Sequence, residues 1–188
     1  MKPKISIQNV VASASINQPI NLKSVVRYFP DAWYKPEQFP GLPFKIDNPK
    51  SCVLLFESGK MVCTGTKSEL EAERAIKKVV QELKRVGIIK NVVNLSVFIQ
   101  NIVASIELEN VMIDIERAIY ELRNNGHIMY EPEMFPGAIF RMKEPKVVFL
   151  IFRSGKLVCV GAKKEDDVHR AIAKLLEILR KTTLLIQL

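Results

Sequence analysis

IQNVVAS at residues 7–13 recurs as IQNIVAS at residues 99–105. Two further blocks recur in the same order: YKPEQFPGLPF (34–44) as YEPEMFPGAIF (130–140), and SGKMVCTG (58–65) as SGKLVCVG (154–161). Since the order is kept, the chain carries two copies of one unit. We predict repeat 1 over residues 1–92 and repeat 2 over residues 93–188, related by pseudo-two-fold symmetry, and a partner that is itself nearly two-fold symmetric.

The composition indicates a folded protein. The chain has 188 residues, of which 48% are hydrophobic, enough for one domain or two small fused ones. No apolar run reaches the roughly 18 residues of a membrane helix. The start, MKPKISIQNVV, lacks the long apolar stretch and cleavage site of a secretory signal. We therefore expect neither export nor membrane insertion.

The cysteines are Cys52, Cys63 and Cys159, an odd number without CxxC or Cys/His spacing. This pattern indicates neither a disulfide framework nor a zinc site, and it favours a reducing compartment. Cys63 and Cys159 occupy equivalent places between apolar neighbours, so we expect buried hydrophobic side chains rather than reactive thiols. We expect no cofactor and no metal.

The net charge of +8 is unevenly distributed. Residues 1–92 contain 15 Lys and Arg against 8 Asp and Glu, and residues 93–188 contain 13 against 12. Repeat 1 therefore carries +7 and repeat 2 carries +1. Two interpretations stay open. Many solvated Lys and Glu are typical of thermally robust proteins. Alternatively, repeat 1 binds a nucleic acid by charge and repeat 2 offers an acidic surface to a protein.

Each repeat has the same predicted order of elements: a strand, a short helix, a turn, a hairpin and a long amphipathic helix. We expect Asn21 and Asp114 to cap the short helices. The remaining predictions are first strands at 5–15 and 93–107, turns at 36–43 and 132–137, hairpin strands at 51–57 with 60–64 and 147–153 with 156–160, and long helices at 68–86 and 165–181. The predicted apolar stripes of the long helices are Leu70, Ala72, Ile76, Val79, Val80 and Leu83, and Val168, Ile172, Leu175, Leu176 and Leu179.

Helices that are not interleaved between the strands favour an α+β fold with an antiparallel sheet. The linker at residues 87–91 is short, which favours one continuous sheet for both repeats.

Strand alternation divides each hairpin into two sets of residues, and both sets are apolar. The sets are Val53, Leu55, Met61 and Cys63 against Leu54, Phe56, Lys60, Val62 and Thr64, and Phe149, Ile151, Leu157 and Cys159 against Leu150, Phe152, Lys156, Val158 and Val160. A sheet with helices on one side is expected to show water a polar opposite face. Either protein covers both faces, as in a dimer, or the second apolar face binds a partner.

The first strands favour a nucleic-acid partner. Asn9 and Val11 share one face, as do Asn101 and Val103, so an amide lies beside a β-branched residue in both copies. Amides can donate to base-edge acceptors, and an apolar sheet fits a groove floor that has few polar groups. Basic residues at the edges would then contact phosphates.

The paired IQN, PExFPG and SGK(M/L)VC(T/V)G blocks resemble the core of the TATA-box-binding protein family, over about residues 5–181. The resemblance implies an α+β saddle, in which two pseudo-symmetric direct repeats share one curved antiparallel sheet with four helices on the convex face. It implies a general transcription initiation factor that binds the TATA box in the minor groove and bends the DNA. This family is itself a standard example of proteins that bind the minor groove and kink the duplex. Such a factor recruits transcription factor B and, indirectly, RNA polymerase.

Matching positions give the DNA-binding residues that the resemblance implies. Phe39 with Phe56, and Phe135 with Phe152, resemble the two pairs that wedge between base steps, although any one Phe alone is more typical of a core. Asn9 and Asn101 would donate to central base acceptors. The groove floor would be formed by Val11, Leu54, Val62, Val103, Leu150 and Val158, which would exclude the amino group of a G·C pair.

The match has one departure and leaves the basic residues less defined. Thr64 resembles the family's hydrogen-bonding threonine, but its counterpart in the DNA-binding set is Val160, which puts a polar contact from repeat 2 in doubt. The phosphate-contact candidates are Lys60, Lys156, Arg141 and Lys45, and for Lys45 a merely solvated side chain is the alternative. Arg74 and Arg170, on the long helices, are left out of the DNA site.

The loop before the second Phe pair is acidic, because Glu131 stands where the first loop has Lys35. The resemblance implies that this loop docks transcription factor B, so Glu131, Glu133 and Met134 are the partner-binding candidates. A merely solvated loop is the alternative.

Catalysis is not expected. His127, in an Asn-Asn-Gly-His loop, and His169, after the acidic run 165–167, have no nucleophile or base at a plausible spacing, and no P-loop or GxGxxG occurs. The alternative function is a saddle module for nuclease-associated or protein-only binding.

The source and the free state are also expectations. The chain is almost entirely core, which looks archaeal and implies the cytoplasm, or the nucleus if the source is eukaryotic. The free protein could form a homodimer through its apolar face.

Overall fold

The computed structural model describes residues 3–92 and 95–187. Within these ranges the helices are α1 (Leu22–Tyr28), α2 (Glu69–Arg85), α3 (Ile115–Glu121) and α4 (Glu165–Lys181), with a 3₁₀ turn at Arg123–Asn125. The strands are β1 (Lys4–Ser15), β2 (Leu42–Asp47), β3 (Lys50–Leu55), β4 (Lys60–Thr66), β5 (Val97–Glu107), β6 (Val111–Ile113), β7 (Gly126–Met129), β8 (Ala138–Met142), β9 (Val147–Ile151), β10 (Lys156–Ala162) and β11 (Leu185–Gln187). Val93, where repeat 2 is predicted to begin, lies outside the described residues, as do Met1 and Leu188.

The chain divides into two compact units. The first unit is residues 9–100, and the second unit is residues 1–8 with residues 101–188. The divisions fall inside β1 and β5, so each of these strands contributes residues to both units. In the second unit Gln8 Nε2 donates to Ser105 Oγ at 2.7 Å. The repeat boundaries at residues 92 and 93 stay a prediction.

The strands of each unit are antiparallel. In the first unit the order is β2-β3-β4-β1, and α2 packs on β3 and β4. In the second unit the order is β5-β10-β9-β8-β7, and α4 packs on β10. There, β6 and β11 form a separate two-stranded ribbon. The predicted fold class, α+β with antiparallel strands, is confirmed.

Local capping signals begin the helices as predicted. Asn21 Oδ1 accepts from the Ser24 N–H at 3.0 Å, and Asp114 Oδ1 accepts from the Arg117 N–H at 3.1 Å. Each side chain satisfies an N–H group that has no partner inside its helix. Both caps confirm the predicted starts of α1 and α3.

The long helices begin and end differently in the two repeats. Ser68 caps α2 by accepting from the Glu71 N–H at 3.1 Å, whereas Lys164 gives α4 no side-chain cap. After α2, Gly87 has a φ of 75°, and after α4, Thr183 has a φ of 51°. The left-handed region suits glycine at the end of a helix and is costly for a β-branched residue.

The buried core of each unit follows the predicted stripes with one exception. Ala72, Ile76 and Val79 are fully buried, but Leu70 is 54% exposed. The prediction for Leu70 is wrong because it precedes Ala72 by two residues, which places it about 200° around the helix from that side chain. Its equivalent in repeat 2 is Asp166, an acidic residue of the type that is favoured in the solvent-exposed first turn of a helix.

Five strands of the described residues were not predicted: β2, β6, β7, β8 and β11. β2 and β8 follow the FPG blocks, and β2 includes Pro43, which had been assigned to a turn. Since β2 is an edge strand, the missing N–H of Pro43 is tolerated there. His127 lies in β7 rather than in a loop.

Candidate nucleic-acid interface

The two faces of each hairpin differ in burial. Val53, Leu55, Met61 and Cys63 are fully buried, as are Phe149, Ile151 and Cys159, with Leu157 at 1% exposure. The opposite sets are half-buried: Leu54, Phe56, Val62 and Thr64 in the first unit, and Leu150, Phe152, Val158 and Val160 in the second. The predicted alternation is therefore confirmed, and each unit presents an apolar sheet face that its helices do not cover.

Strand register brings the predicted floor residues side by side. In the first unit Val62 lies opposite Leu54 on β3 and opposite Ser13 on β1. In the second unit Val158 lies opposite Leu150 on β9 and opposite Ser105 on β5. Each unit thus has a row of side chains across its strands.

The rows also contain residues that the sequence prediction omitted. Pro43 lies opposite Leu54, Cys52 opposite Thr64, Ile139 opposite Leu150 and Val148 opposite Val160. All four are half-buried. The period of two within each strand was the signal that could have found them.

The predicted phenylalanine pairs are in contact. The ring centroids of Phe39 and Phe56 are 6.1 Å apart at an interplanar angle of 66°, and those of Phe135 and Phe152 are 5.8 Å apart at 63°. Both pairs are edge-to-face, which is a favourable arrangement of aromatic quadrupoles. Phe39 is 40% exposed and the other three rings are half-buried, so each pair presents part of its ring surface to a ligand.

A glycine lies against each pair. A Cβ at Gly41 would lie 2.6 Å from Phe39 Cε1 and 3.0 Å from Phe56 Cε1. A Cβ at Gly137 would lie 3.0 Å from Phe135 Cε1 and from Phe152 Cε1. The glycine of each FPG block therefore leaves the space that its ring pair occupies, a role that the block's sequence did not reveal.

Bulges orient the two asparagines. The pairing of β1 with β4, and of β5 with β10, shifts register beside Gly65 and Gly161, whose φ angles are 94° and 100°. The Gly65 N–H donates to Asn9 Oδ1 at 2.8 Å, and the Gly161 N–H donates to Asn101 Oδ1 at 2.8 Å. Since each carbonyl oxygen is engaged, each amide has its NH₂ donor to offer.

The two amides have different neighbours. Asn9 Nδ2 lies 3.2 Å from Thr64 Oγ1, whereas the equivalent position beside Asn101 is Val160, which has no hydroxyl. The departure from symmetry seen in the sequence therefore falls beside the candidate donors.

The predicted basic residues are exposed at strand ends and edges. Lys60 begins β4, and Lys156 begins β10 beside Phe152 and Val158, where the three residues line a cavity of about 410 Å³. Lys45 lies opposite Cys52 on the edge strand β2 and also lines a cavity with Lys78 of α2.

Arg141 has basic neighbours that the prediction omitted. It lies opposite Val148, and with Lys146 and Lys163 it lines a cavity of about 640 Å³ that also includes Val148 and Val160. Three cations beside the apolar face are suited to phosphate groups.

The predicted partner loop is a turn before the second phenylalanine pair. Glu131, Glu133 and Met134 are exposed, Met134 at 82%. The Phe135 N–H donates to the Glu131 carbonyl at 2.9 Å, and in repeat 1 the Phe39 N–H donates to the Lys35 carbonyl at 3.0 Å. The backbone turn is thus repeated, while its side chains differ at Lys35 against Glu131 and at Gln38 against Met134.

The cysteines behave as buried hydrophobic residues where the prediction placed them. Burial raises the pKa of the Cys63 thiol to about 11 and that of the Cys159 thiol to about 12. Cys52 is half-buried, and burial also raises its thiol pKa, against a lowering effect of Lys45. At neutral pH all three thiols are protonated, which disfavours nucleophilic chemistry.

Arg170, left out of the DNA site by the prediction, is engaged on its helix. It pairs with Asp166 at 3.3 Å and with Asp167 at 2.5 Å, and its hydrogen bond to Asp167 raises the pKa of the guanidinium.

Over residues 3–92 and 95–187, no group of three or more His, Cys, Asp or Glu is placed to hold a metal ion. Of the helices described, none is long and apolar enough to cross a membrane.

Comparison with known proteins matches both repeats to one family. Residues 4–86 and residues 96–182 each match the family model described as transcription factor TFIID (or TATA-binding protein, TBP). Among curated relatives, the TATA-box-binding protein of Pyrodictium occultum is 49% identical over 180 residues, covering 96% of this chain and 88% of that protein. The TATA-box-binding protein of Methanocaldococcus jannaschii is 45% identical over 183 residues, covering 96% of each.

A solved structure gives the same result. The structure titled Methanococcus jannaschii TBP matches with a TM-score of 0.81 at 44% sequence identity, covering 95% of this chain and 99% of that one. At this identity the likeness extends beyond the shared fold. The relatives come from archaea, in agreement with the predicted source.

Proposed function

The chain belongs to the TATA-box-binding protein family, whose members are transcription factors rather than enzymes, and from this premise we propose that it binds the TATA box of promoters through the minor groove. Its role is in transcription initiation. The observation that carries the proposal is the half-buried apolar face of each unit, which holds an oriented asparagine and a phenylalanine pair.

The chemistry of these faces supports A·T-rich DNA. In the minor groove, A·T pairs present only acceptors, whereas a G·C pair adds the guanine amino donor. Leu54, Val62 and Val158 offer that donor no acceptor, and Asn9 and Asn101 offer N–H groups to the acceptors. An apolar floor with a few oriented donors therefore favours A·T pairs over G·C pairs.

A competition experiment tests the proposal. A labelled duplex containing a TATA box is bound to the protein at fixed salt, and unlabelled TATA or G·C-rich duplexes of the same length compete in a mobility-shift assay. We expect the TATA competitor to be at least about a thousandfold more effective, which is the lower end of the usual ratio of specific to non-specific binding. Equal competition would contradict the proposal and favour the alternative, a module for nuclease-associated or protein-only binding.

Bending of the DNA belongs to the same proposal. The phenylalanine pairs, with their partly exposed rings, can wedge between base steps and replace lost base stacking. Arg141, Lys60 and Lys156, exposed at strand ends and edges, can contact the phosphates of the widened groove.

The recruitment of transcription factor B is proposed for the acidic loop of repeat 2. Glu131, Glu133 and Met134 are exposed, and two carboxylates beside a flexible apolar side chain suit a basic protein surface. RNA polymerase would be recruited indirectly, through that factor.

A charge reversal tests the loop. Glu131→Arg is expected to weaken assembly with transcription factor B on DNA at least about tenfold while changing binary DNA binding less than about twofold. Lys35→Glu, the reversal at the equivalent place in repeat 1, is the matched control and should leave assembly intact. Loss of both binding steps in Glu131→Arg would show that the residue serves the fold instead.

Two further parts of the proposal concern the protein in the cell. As an archaeal factor it would act in the cytoplasm, where the DNA lies.

Without DNA, the apolar faces would favour a homodimer. Sedimentation equilibrium with and without a TATA duplex measures whether binding to DNA dissociates this dimer.

A further inference from the structure

The neighbours of the two oriented amides differ at one position. In the first unit Thr64 Oγ1 lies 3.2 Å from Asn9 Nδ2, on the half-buried face opposite Cys52. In the second unit Val160 occupies the equivalent place, opposite Val148 on β9. Asn9 and Asn101 are otherwise held alike, each by a glycine N–H at 2.8 Å.

A hydroxyl and a methyl group respond differently to a guanine. The hydroxyl oxygen of Thr64 has two lone pairs, so it can accept from Asn9 and from a second donor at the same time. Valine can do neither. The guanine amino group is the donor that a G·C pair adds to the minor groove, and a donor buried without a partner costs more than a hydrogen bond is worth.

We propose that Thr64 makes the first unit the half of the protein that tolerates a G·C pair, and that Val160 makes the second unit the half that excludes it. The inference rests on the proposed function. Its consequence is directional: a single G·C pair in an otherwise A·T site orients the protein, with the first unit over the half that contains this pair.

The experiment uses palindromic A·T duplexes, on which the two orientations are equivalent by symmetry. One G·C pair is introduced at each position of one half in turn. Orientation is measured by DNA cleavage from an iron chelate attached at Glu37→Cys, on the exposed turn before Phe39. Cys52→Val, which adds no hydroxyl opposite Thr64 and copies the equivalent Val148 of repeat 2, is included in every variant. The buried Cys63 and Cys159, with thiol pKa values of about 11 and about 12, resist labelling.

For at least one position of the G·C pair we expect the protein to favour the predicted orientation by about fivefold, the size of one net hydrogen bond. The exchange variant, Thr64→Val with Val160→Thr, should favour the opposite orientation by about the same factor. Circular dichroism and thermal unfolding check that the variant is folded.

An inosine·C pair supplies a control that needs no protein variant. Inosine lacks the amino group of guanine, so replacing G·C by inosine·C should return the orientation ratio to about one. Persistence of the bias with inosine·C would overturn the inference, and so would an unchanged orientation in a folded exchange variant.

Failure of the inference is distinguishable from failure of the proposed function. Selective binding to TATA duplexes without any orientation by G·C would overturn the inference and leave the function standing. Equal binding to TATA and G·C-rich duplexes would overturn both.

Discussion

The phenylalanine pairs of the two repeats are nearly alike, with centroid distances of 6.1 and 5.8 Å and interplanar angles of 66° and 63°. The loops that precede them have the same backbone hydrogen bonds but differ in charge, with Lys35 in the first loop and Glu131 in the second. The amide pockets share a glycine N–H and differ by the hydroxyl of Thr64. The packing of the ring pairs is therefore duplicated in this protein, while the charge of the loops and the hydrogen bonding of the asparagine amides differ, and these differences allow a partner to distinguish the repeats.

Removing one ring from each pair tests whether the packing is functionally duplicated. Phe56→Ala and Phe152→Ala should each weaken TATA binding about tenfold or more, because an aromatic side chain stacked on a base contributes roughly 1–3 kcal/mol. Each should also reduce the bend measured by energy transfer between dyes at the duplex ends. Met134→Ala, at an 82% exposed side chain beside the second pair, is the control. An unchanged bend in either variant would show that this ring is not a wedge.

Adding a methyl group beside each pair should reveal a smaller difference between them. Gly41→Ala is expected to weaken TATA binding about fivefold, and Gly137→Ala less than about threefold, because the added Cβ would lie 2.6 Å from a ring atom in repeat 1 and 3.0 Å in repeat 2. Fluorescence anisotropy titration measures the affinities. Equal losses would show that the exposed Phe39 ring moves aside without consequence.

The starts of the long helices differ enough to be compared by stability. Ser68→Ala should destabilise the protein by about 1 kcal/mol, since it removes the acceptor for the Glu71 N–H. Lys164→Ser should stabilise it by about 0.5 kcal/mol, because α4 has no side-chain cap. Urea denaturation gives both values, and Lys163→Ser controls for loss of a charge. Equal stability of Lys164→Ser and Lys163→Ser would contradict the expected cap.

The ends of the same helices should give the smallest effect. Thr183→Gly is expected to stabilise the protein by about 0.5 kcal/mol, as relief of a left-handed residue with a φ of 51° outweighs the added freedom of the unfolded chain. Gly87→Thr, the reverse change in repeat 1, should destabilise it. Thermal unfolding of both variants measures the difference, and a lower stability of Thr183→Gly would mean that Thr183 contributes contacts worth more than its strain.

Features with a local cause were predictable from the sequence. The caps at Asn21 and Asp114 depend on a hydrogen bond to the third residue onward, and α4 was predicted with its observed bounds, 165–181. The half-buried face followed from alternation along each strand. Such features need no knowledge of which strands are neighbours.

Features that depend on pairing between distant strands were not predictable. β2 and β8 were missed because the turn residues before them, and Pro43 within β2, outweighed their short alternating patterns. The bulges at Gly65 and Gly161 exist only in relation to β1 and β5. The space beside Phe39 is set by where the Gly41 backbone passes the rings, and a single chain sequence contains no signal for that distance.

The first strand has a consequence for how the chain folds as it is synthesised. Gln8 binds Ser105 across 97 positions of sequence, and closing a loop of that length has an entropic cost that local hairpins avoid. Residues 9–100 can pair among themselves once they leave the ribosome, while residues 4–8 have no β5 partner until residues 101–107 are made. A nascent chain therefore carries an unpaired strand end through half of its synthesis, and we expect this end to be the last part of β1 to gain protection from hydrogen exchange.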